Sequence, residues 1–209
     1  MDITSQHAMI LLAVWGAYFV VHSLLASLPF KHYIATRCKR CMMFYRLGFN
    51  ASAIILLFIP FYLLAIWRTE PLWQWHGSML WLMNTIALLA IILFLLTLRY
   101  YDMKEFLGFR QLSEQETSVE DQEHFQLSPF HRFVRHPWYF LAIVLLWTRS
   151  MDIMMLVSVI AMTLYFIIGS RVEERKLVIY HGDIYRRYLK KVPGVFPLPW
   201  KYLRAGEKL

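Results

Sequence analysis

The feature that most constrains this chain is a series of long apolar stretches that carry no formal charge. Ala8 to Leu28 contains no Asp, Glu, Lys or Arg over 21 residues. At about 1.5 Å per helical residue, this run is long enough to cross a hydrocarbon core of ~30 Å. Gly48 to Trp67 and Gly77 to Leu98 are also free of charge. These three stretches predict membrane-spanning helices. The first is too long for the apolar part of a removable signal peptide, so we expect it to stay in the mature protein.

Two shorter apolar stretches follow, Trp138 to Trp147 and Ile153 to Gly169, and only five residues separate them. This spacing predicts a helical hairpin near the C-terminal end. The composition of the whole chain, 58% hydrophobic and 17% charged, is also typical of a membrane protein. The predicted fold class is therefore all-α, a polytopic membrane protein with five transmembrane helices.

The basic residues predict the orientation of these helices, because cytoplasmic loops and ends carry an excess of Lys and Arg. Of the 22 basic residues, 20 fall in Lys31 to Arg46, in Arg99 to Arg135 or from Arg171 onward. Only Arg68 and Arg149 fall in the opposite loops. We therefore expect the N-terminus outside and the C-terminus in the cytoplasm. The basic tail indicates contact with anionic membrane lipids, and no nucleic-acid partner is needed to explain it.

Two of the predicted cytosolic loops have unusual compositions. The first contains Cys38-Lys39-Arg40-Cys41, which could be redox-active or half of a metal site, but no second C-x-x-C is present. We therefore expect both cysteines to be reduced thiols. The second contains the acidic residues Glu114, Glu116, Glu120, Asp121 and Glu123, which predict a solvated loop.

Ser128 and Pro129 are typical of a helix start, an N-cap residue followed by proline at the first helical position. The fourth helix is predicted to run from Pro129 to about Trp147 with a kink at Pro137. After the hairpin, a segment that begins at the Glu173 pair alternates apolar and basic positions, with an interruption at Gly182. This pattern predicts a cytosolic amphipathic helix at the membrane interface.

Polar and titratable side chains are concentrated on both sides of the predicted hairpin, where they are costly to place unless they have a function. They are His131, Arg135, His136, Tyr139, Glu173, Glu174, Tyr185 and Tyr188. An arginine can hold a carboxylate, a glutamate can bind an amine or ribose hydroxyls, and a tyrosine face attracts a cation. A zwitterionic, cationic nucleotide would satisfy all three. The chain has no G-x-G-x-x-G, G-x-x-x-x-G-K-[ST] or H-E-x-x-H motif that would indicate another cofactor.

This combination resembles the isoprenylcysteine carboxyl methyltransferase and phospholipid methyltransferase superfamily. The resemblance covers Ser128 to Pro197, and its motifs are Arg135-His136-Pro137-Trp138-Tyr139, Glu173-Glu174, Gly182-x-x-Tyr185-x-x-Tyr188 and the Val192-Pro193 exit. His22-Ser23-Leu24-Leu25-Ala26 and Asp102 to Gln111 are similar to the NnrU-type branch, which includes methanethiol S-methyltransferases.

The resemblance implies an integral membrane enzyme that binds S-adenosylmethionine, with S-adenosylhomocysteine as the product. Residues 1–127 would form a three-span region with a cytosolic loop, and residues 128–209 would hold the cofactor. The implied cofactor-binding residues are Arg135, His136, Tyr139, Glu173, Glu174, Tyr185 and Tyr188. The candidate catalytic residues are His131, Arg135 and His136. If the acceptor is a thiol, His131 or His136 would serve as the general base. No metal is predicted.

Two positions depart from the prenylcysteine enzymes. His131 stands where a tyrosine is usual, and Gly169 replaces an arginine that contacts the substrate, with Arg171 nearby. These departures disfavour a prenylcysteine and leave a small or lipophilic methyl acceptor, such as a thiol. Two alternatives remain at this point, a non-catalytic NnrU-like membrane accessory protein and an NADPH-dependent reductase of related fold.

Overall fold

The computed structural model describes residues 2–119, 127–204 and 207. Three members of the acidic run, Glu120, Asp121 and Glu123, lie outside the described residues. The helices are α1 (Ile3–Ala26), α2 (Leu28–Arg37), α3 (Met42–Ile66), α4 (Gly77–Thr97), α5 (Met103–Leu107), α6 (Phe109–Ser113), α7 (Pro137–Trp147) and α8 (Ile153–Lys191). Short 3₁₀ turns cover Lys39–Cys41, Leu98–Tyr100 and Pro129–Arg132, and the strands β1 (Pro71–Trp73) and β2 (Met151–Asp152) pair with each other.

Four helices in the described part of the chain are long and apolar enough to cross a membrane, namely α1, α3, α4 and α8. They present large apolar side chains outward, for example Val20 at 67%, Phe58 at 68% and Leu88 at 57% exposure. In water such surfaces would be strongly unfavourable, whereas lipid tails contact them without penalty. The chain is therefore a multi-pass membrane protein, as the charge-free stretches predicted.

The prediction of one kinked helix from Pro129 to Trp147 is wrong. The chain forms a 3₁₀ turn at Pro129–Arg132, leaves helical geometry, and begins α7 at Pro137. Proline is favoured at the first helical position, because its missing N–H would have no partner there, so Pro137 starts a helix instead of bending one. With 11 residues, α7 is about 16 Å long, which is too short to span the bilayer unaided.

The chain divides into two compact units that do not follow chain order. The first comprises Met1–Glu70, Tyr101–Glu123 and Asp152–Ser158, and the second comprises Pro71–Tyr100, His124–Met151 and Val159–Leu209. All eight residues of the predicted site belong to the second unit. The helical hairpin and its tail are predicted from sequence as separate pieces, yet Ile153–Lys191 is one helix with a break at Gly182.

In the first unit, α1 packs on α3 and on the start of α8. Trp15 is fully buried, and its indole Nε1 donates a hydrogen bond of 2.9 Å to Ser158 Oγ. The α5–α6 corner lies on α3, where Arg46 and Asn50 donate to the carbonyl oxygen of Phe106 at 3.1 and 3.0 Å. These two side chains satisfy a carbonyl at the end of α5 that has no helical partner.

The α5–α6 corner depends on Gly108, and this makes a first prediction. Gly108 has φ +95°, and a Cβ at this position would lie 2.7 Å from the backbone nitrogen of Leu47. Gly108→Ala should therefore lower the free energy of unfolding by at least about 2 kcal/mol, because of the left-handed backbone and the clash. The melting temperature of the full-length protein in detergent measures the effect.

The control for this substitution is Gly48→Ala, within the second turn of α3, where nothing lies within 4 Å of an added Cβ. It should leave the melting temperature unchanged or raise it slightly, because alanine favours a helix over glycine by about 1 kcal/mol. Equal melting temperatures for the two variants would contradict the tight approach of Gly108 to α3.

In the second unit, α7 lies against α4. Trp138 Nε1 donates to Thr97 Oγ1 at 2.6 Å, and the Trp138 ring lies 5.3 Å from that of Phe94. Gly182 breaks α8 with φ +56° and ψ −131°, a conformation that is essentially restricted to glycine. The interruption predicted at Gly182 is confirmed. The helical turns after it carry Tyr185 and Tyr188 into a hydrophobic cluster with Val192 and Leu203.

The prediction that both cysteines are free thiols is wrong. Cys38 and Cys41 form a disulfide with their Cα atoms 5.3 Å apart. The 3₁₀ turn at Lys39–Cys41 brings the two residues together, and this Cα separation lies within the range that a disulfide requires.

Candidate active site

The candidate site begins at the Ser128 turn, where His131 completes a capping box. The backbone N–H of Ser128 donates to His131 Nδ1 at 3.2 Å, and the Ser128 hydroxyl lies 2.8 Å from the same nitrogen. Since Nδ1 accepts, the proton of the neutral ring lies on Nε2. Burial lowers the pKa of His131 from 6.5 to about 4, and the neighbouring His136 lowers it further in the same direction. His131 is therefore a neutral side chain that caps a turn.

This pKa gives a second prediction. Between pH 4 and 6.5 the folded protein binds fewer protons at His131 than the unfolded chain does. The free energy of unfolding is therefore highest above pH 6.5 and decreases as the pH falls towards 4. Its full size is on the order of 3 kcal/mol. The melting temperature should therefore fall as the pH is lowered from 6.5 to 5.

His131→Asn should flatten this fall, because a carboxamide oxygen can accept the Ser128 N–H without titrating in this range. The control is His32→Asn, at an exposed position of α2, which should keep the wild-type slope. Identical slopes in the wild type and in His131→Asn would show that another group titrates.

Arg135 ties the segment before α7 to the C-terminal end of α8. Its Nε and Nη2 atoms each donate to Glu174 Oε1 at 2.7 Å, and its Nη1 donates to the carbonyl oxygens of Leu189, at 3.1 Å, and Val192. The backbone N–H of Arg135 donates to the carbonyl of Gly194 at 2.9 Å. The side chains of Arg135 and Glu174 are only 11% and 13% exposed. The guanidinium therefore caps α8 and pairs with Glu174 within the protein.

His136 lies between the two glutamates. Its Nε2 is 3.0 Å from Glu174 Oε1, and its Nδ1 is 3.5 Å from Glu173 Oε2. Burial opposes the charged ring, but the hydrogen bonds with Glu173 and Glu174 outweigh it and raise the pKa of His136. Both ring nitrogens thus face carboxylates, an arrangement that favours the doubly protonated imidazolium. The imidazolium and the Arg135 guanidinium together carry two positive charges, which compensate the negative charges of Glu173 and Glu174.

Glu173 is the member of this network that a ligand can reach. Its side chain is 41% exposed, three times as much as that of Glu174. Tyr139 donates its hydroxyl to Glu173 Oε2 at 2.9 Å. The hydroxyl of Tyr139 and the imidazolium of His136 both stabilise the ionised form of this carboxylate. The carboxylate therefore stays ionised at neutral pH, with its orientation held by two neighbours.

The aromatic ring of Tyr139 lies in a stack of three rings. It is parallel to His136 within 4° at 5.3 Å between centroids, and it lies 5.2 Å from Phe166 with an interplanar angle of 15°. The sequence interpretation did not single out Phe166, because it is one of many apolar residues in its stretch. Its spacing of seven residues before Glu173, about two helical turns, places both residues on one face of α8 and could have indicated it.

Tyr185 and Tyr188 lie in the protein interior. They are 2% and 1% exposed, and the Tyr188 hydroxyl donates to the carbonyl oxygen of His131 at 2.6 Å. Burial, together with the nearby Glu174 carboxylate, raises the pKa of Tyr185. The structure thus gives both tyrosines a packing role, and their contact with a cofactor stays a prediction. The sequence interpretation also missed the carbonyl groups of Leu189, Val192 and Gly194, since a backbone contact leaves no residue signature.

Comparisons with known proteins identify sequence relatives over most of the chain. No protein-family model matches the chain, and no solved structure matches it. Among curated proteins, methanethiol S-methyltransferase 2 of Bradyrhizobium diazoefficiens is 26% identical over 204 residues, which cover 94% of this chain and 76% of the relative. Methanethiol S-methyltransferase of Crocosphaera subtropica is 26% identical over 200 residues, which cover 87% of this chain and 71% of the relative.

The sequence similarity extends over most of the chain. The Mycobacterium tuberculosis methanethiol S-methyltransferase is also 26% identical, over 94% of this chain and 81% of its own length. Matches of this coverage extend both before and after Ser128. The resemblance predicted from the sequence is thereby confirmed: along most of its length the chain is similar to the methanethiol S-methyltransferases, in the branch to which its motifs point.

Proposed function

We propose that the protein is a membrane-embedded methyltransferase that uses S-adenosylmethionine and methylates a small thiol. The observation that carries this proposal is the ionised, partly exposed Glu173 carboxylate, which Tyr139 and His136 hold in place. The names of the relatives support methyl transfer to a thiol as the reaction class.

Fewer residues of the site are placed to contact such a cofactor than the sequence suggests. Glu173 accepts from Tyr139 and His136 through Oε2, which leaves Oε1 available for an amine or a ribose hydroxyl. Tyr139 stacks with His136 and with Phe166, so its hydroxyl and ring edge lie beside Glu173, while the outer face of Phe166 would attract a sulfonium cation. The guanidinium of Arg135, in contrast, already donates hydrogen bonds to Glu174 and to two backbone carbonyl groups. We therefore assign cofactor contact to Glu173 and Tyr139.

The remaining polar residues act on this pair as positioning residues. Arg135 and Glu174 hold the segment before α7 against the end of α8, and this fixes His136. His136 in turn orients the Glu173 carboxylate. His131 caps its turn through Nδ1, and His136 faces a carboxylate with each nitrogen, so neither is set up to take a proton as a general base.

Methyl transfer requires the protein mainly to bind and orient the two reactants. When bound, S-adenosylmethionine supplies an electrophilic methyl group on a positively charged sulfur, and a thiol can take it up by in-line displacement. Such a reaction depends mainly on the approach geometry and on the exclusion of water. The thiol proton would leave to solvent. Apolar helices on the same unit would let a hydrophobic acceptor arrive from the lipid phase.

Calorimetry on the purified full-length protein tests the proposal. S-Adenosylmethionine and S-adenosylhomocysteine should bind and NADPH should not, and a labelled methyl donor should label methanethiol or another small thiol. A folded sample that binds neither methyl-donor compound would exclude the methyltransferase and favour the accessory role. Binding of NADPH alone would favour a reductase.

We also propose five membrane crossings, with the N-terminus outside, the C-terminus in the cytoplasm and the tail of α8 at the interface. The charge distribution supports this orientation. The fifth crossing requires that α7 contribute one pass together with the segment that precedes it. If α7 does not cross, both termini lie on the same side of the membrane.

Terminal reporters give the third prediction, because they distinguish these two topologies. A reporter that is active only in the cytoplasm should give a signal at the C-terminus and none at the N-terminus. A reporter that is active only outside should give the reverse. Equal signals from both ends would show that the membrane is crossed four times, by α1, α3, α4 and α8.

A further inference from the structure

We propose that the Cys38–Cys41 pair is a reversible thiol–disulfide exchange site for small thiols, a reactivity that does not depend on the methyl-transfer proposal. The pair belongs to the first unit, whereas every residue of the candidate active site belongs to the second. None of the contacts described for Glu173 and its neighbours involves Cys38 or Cys41.

The position of the disulfide shows that it contributes little to stability. Its two residues are only three apart in sequence, and the turn between them already joins Cys41 N to Cys38 O at 3.0 Å. A bridge stabilises mainly by restricting the unfolded chain, and this effect is small for so short a loop. The disulfide is therefore expected to add little to the free energy of unfolding.

The surroundings of the pair favour exchange. Cys41 is exposed and Cys38 is half-buried, so a small thiol can reach the bond. The cations Arg37, Lys39 and Arg40 are exposed beside it, and Cys41 directly precedes α3, a helix of 25 residues. Neighbouring cations and a helix N-terminus both stabilise a thiolate relative to a thiol. Exposed disulfides with stabilised thiolates are the ones that small thiols reduce readily.

The exchange is balanced with two equivalents of a small thiol as reductant. The thiolate of the first attacks the exposed Cys41 sulfur. A mixed disulfide forms there, the bond to Cys38 breaks, and Cys38 leaves as a thiolate. The second thiolate attacks the sulfur of the small thiol in the mixed disulfide, which releases Cys41 as a thiolate and yields the symmetric disulfide of the small thiol. The two protons of the small thiols pass to solvent or to the two cysteines.

The chain contains two cysteines in all, so a whole-protein thiol assay reports on this pair alone. Full-length protein in detergent is equilibrated with graded ratios of reduced and oxidised glutathione, quenched with acid, and labelled with a maleimide polymer that shifts its mobility on a gel. We expect a reversible change between no shifted label and two labels, along a single two-electron transition. In Cys38→Ser, oxidised glutathione should form a mixed disulfide on Cys41, and the yield should be higher than on Cys38 in Cys41→Ser.

The role of the cations is tested by the rate of iodoacetamide alkylation of Cys41 at neutral pH in the Cys38→Ser background. Neutralising Lys39 and Arg40 together to glutamine should slow alkylation about three- to tenfold, since it raises the fraction of unreactive thiol. The control is Lys190→Gln, at an exposed position of α8, which should leave the rate unchanged.

Three results would overturn the proposal. They are the absence of a disulfide in excess oxidised glutathione, a bond that excess reduced glutathione cleaves only after denaturation, and an alkylation rate that is independent of Lys39 and Arg40. None of these assays requires methyl transfer. Failure here would therefore leave the proposed function untouched, and a protein that binds no S-adenosylmethionine could still show the exchange.

Discussion

Arg135→Ala is expected to cause the largest loss of stability of any substitution considered for this protein, about 3–5 kcal/mol. The Arg135 and Glu174 side chains are 11% and 13% exposed. Removing the guanidinium leaves a nearly buried carboxylate with His136 as its remaining charged partner, and it leaves the carbonyl groups of Leu189 and Val192 without their donor. The melting temperature in detergent should fall by roughly 10 °C.

Two companion variants separate this effect from a general loss of charge. Arg186→Ala removes an arginine whose pair with Asp183 is exposed, 64% and 79% for the two side chains. It should change the melting temperature by no more than about 2–4 °C, because such pairs contribute about 0–1 kcal/mol. Arg135→Lys should recover only part of the stability, since an ammonium cannot reproduce the guanidinium contacts. An Arg135→Ala protein as stable as Arg186→Ala would mean that the network does not join α7 to α8.

Glu173→Gln is expected to weaken S-adenosylmethionine binding by about 100-fold, while it leaves the fold intact. The charge that would meet the amine or ribose of the cofactor is lost, and hydrogen bonds to a charged group contribute about 1.5–3 kcal/mol. The glutamine oxygen can still accept the Tyr139 hydroxyl. The melting temperature should fall by less than in Arg135→Ala, although the His136 imidazolium loses one of its two carboxylate partners. Calorimetry and thiol methylation at low donor concentration measure the effect.

Asp183→Asn is the matched control, because it removes a 79% exposed carboxylate from the same helix. It should leave the affinity for S-adenosylmethionine unchanged. If Glu173→Gln binds the cofactor as tightly as Asp183→Asn does, then Glu173 is not a cofactor ligand, and the proposed site is wrong even if the wild-type protein is a methyltransferase.

The sequence groups eight polar residues into one candidate site, and the structure brings five of them into direct contact. Arg135, His136, Tyr139, Glu173 and Glu174 lie in one network. Their roles differ because of burial, which a motif does not specify. Tyr185 and Tyr188 share motif spacing with a cofactor site, yet they are almost fully buried in an apolar cluster. Their roles there depend on the break at Gly182, which turns the end of α8.

The local structure at Pro137 and at the two cysteines also differs from what the sequence predicts. Pro137 predicts a disturbed helix, but whether a proline kinks a helix or starts one depends on the residues before it, and in this fold the Arg135 backbone is bonded to Gly194 instead of to its own helix. The sequence predicts reduced thiols at Cys38 and Cys41, because no second C-x-x-C is present to complete a metal site. Only the 3₁₀ turn between them brings the two sulfur atoms together.

By itself the sequence determined the membrane class, the apolar helices, the break at Gly182 and the resemblance to methanethiol S-methyltransferases. These depend on local composition, spacing and backbone preference, which are properties of the chain at each position. Only the tertiary structure decided that Arg135 is bonded to Glu174 and two carbonyl groups, that His131 is buried in a capped turn, and that Glu173 is the more exposed of the two carboxylates. Those outcomes depend on which groups lose water when distant segments meet, and desolvation is a property of the folded arrangement.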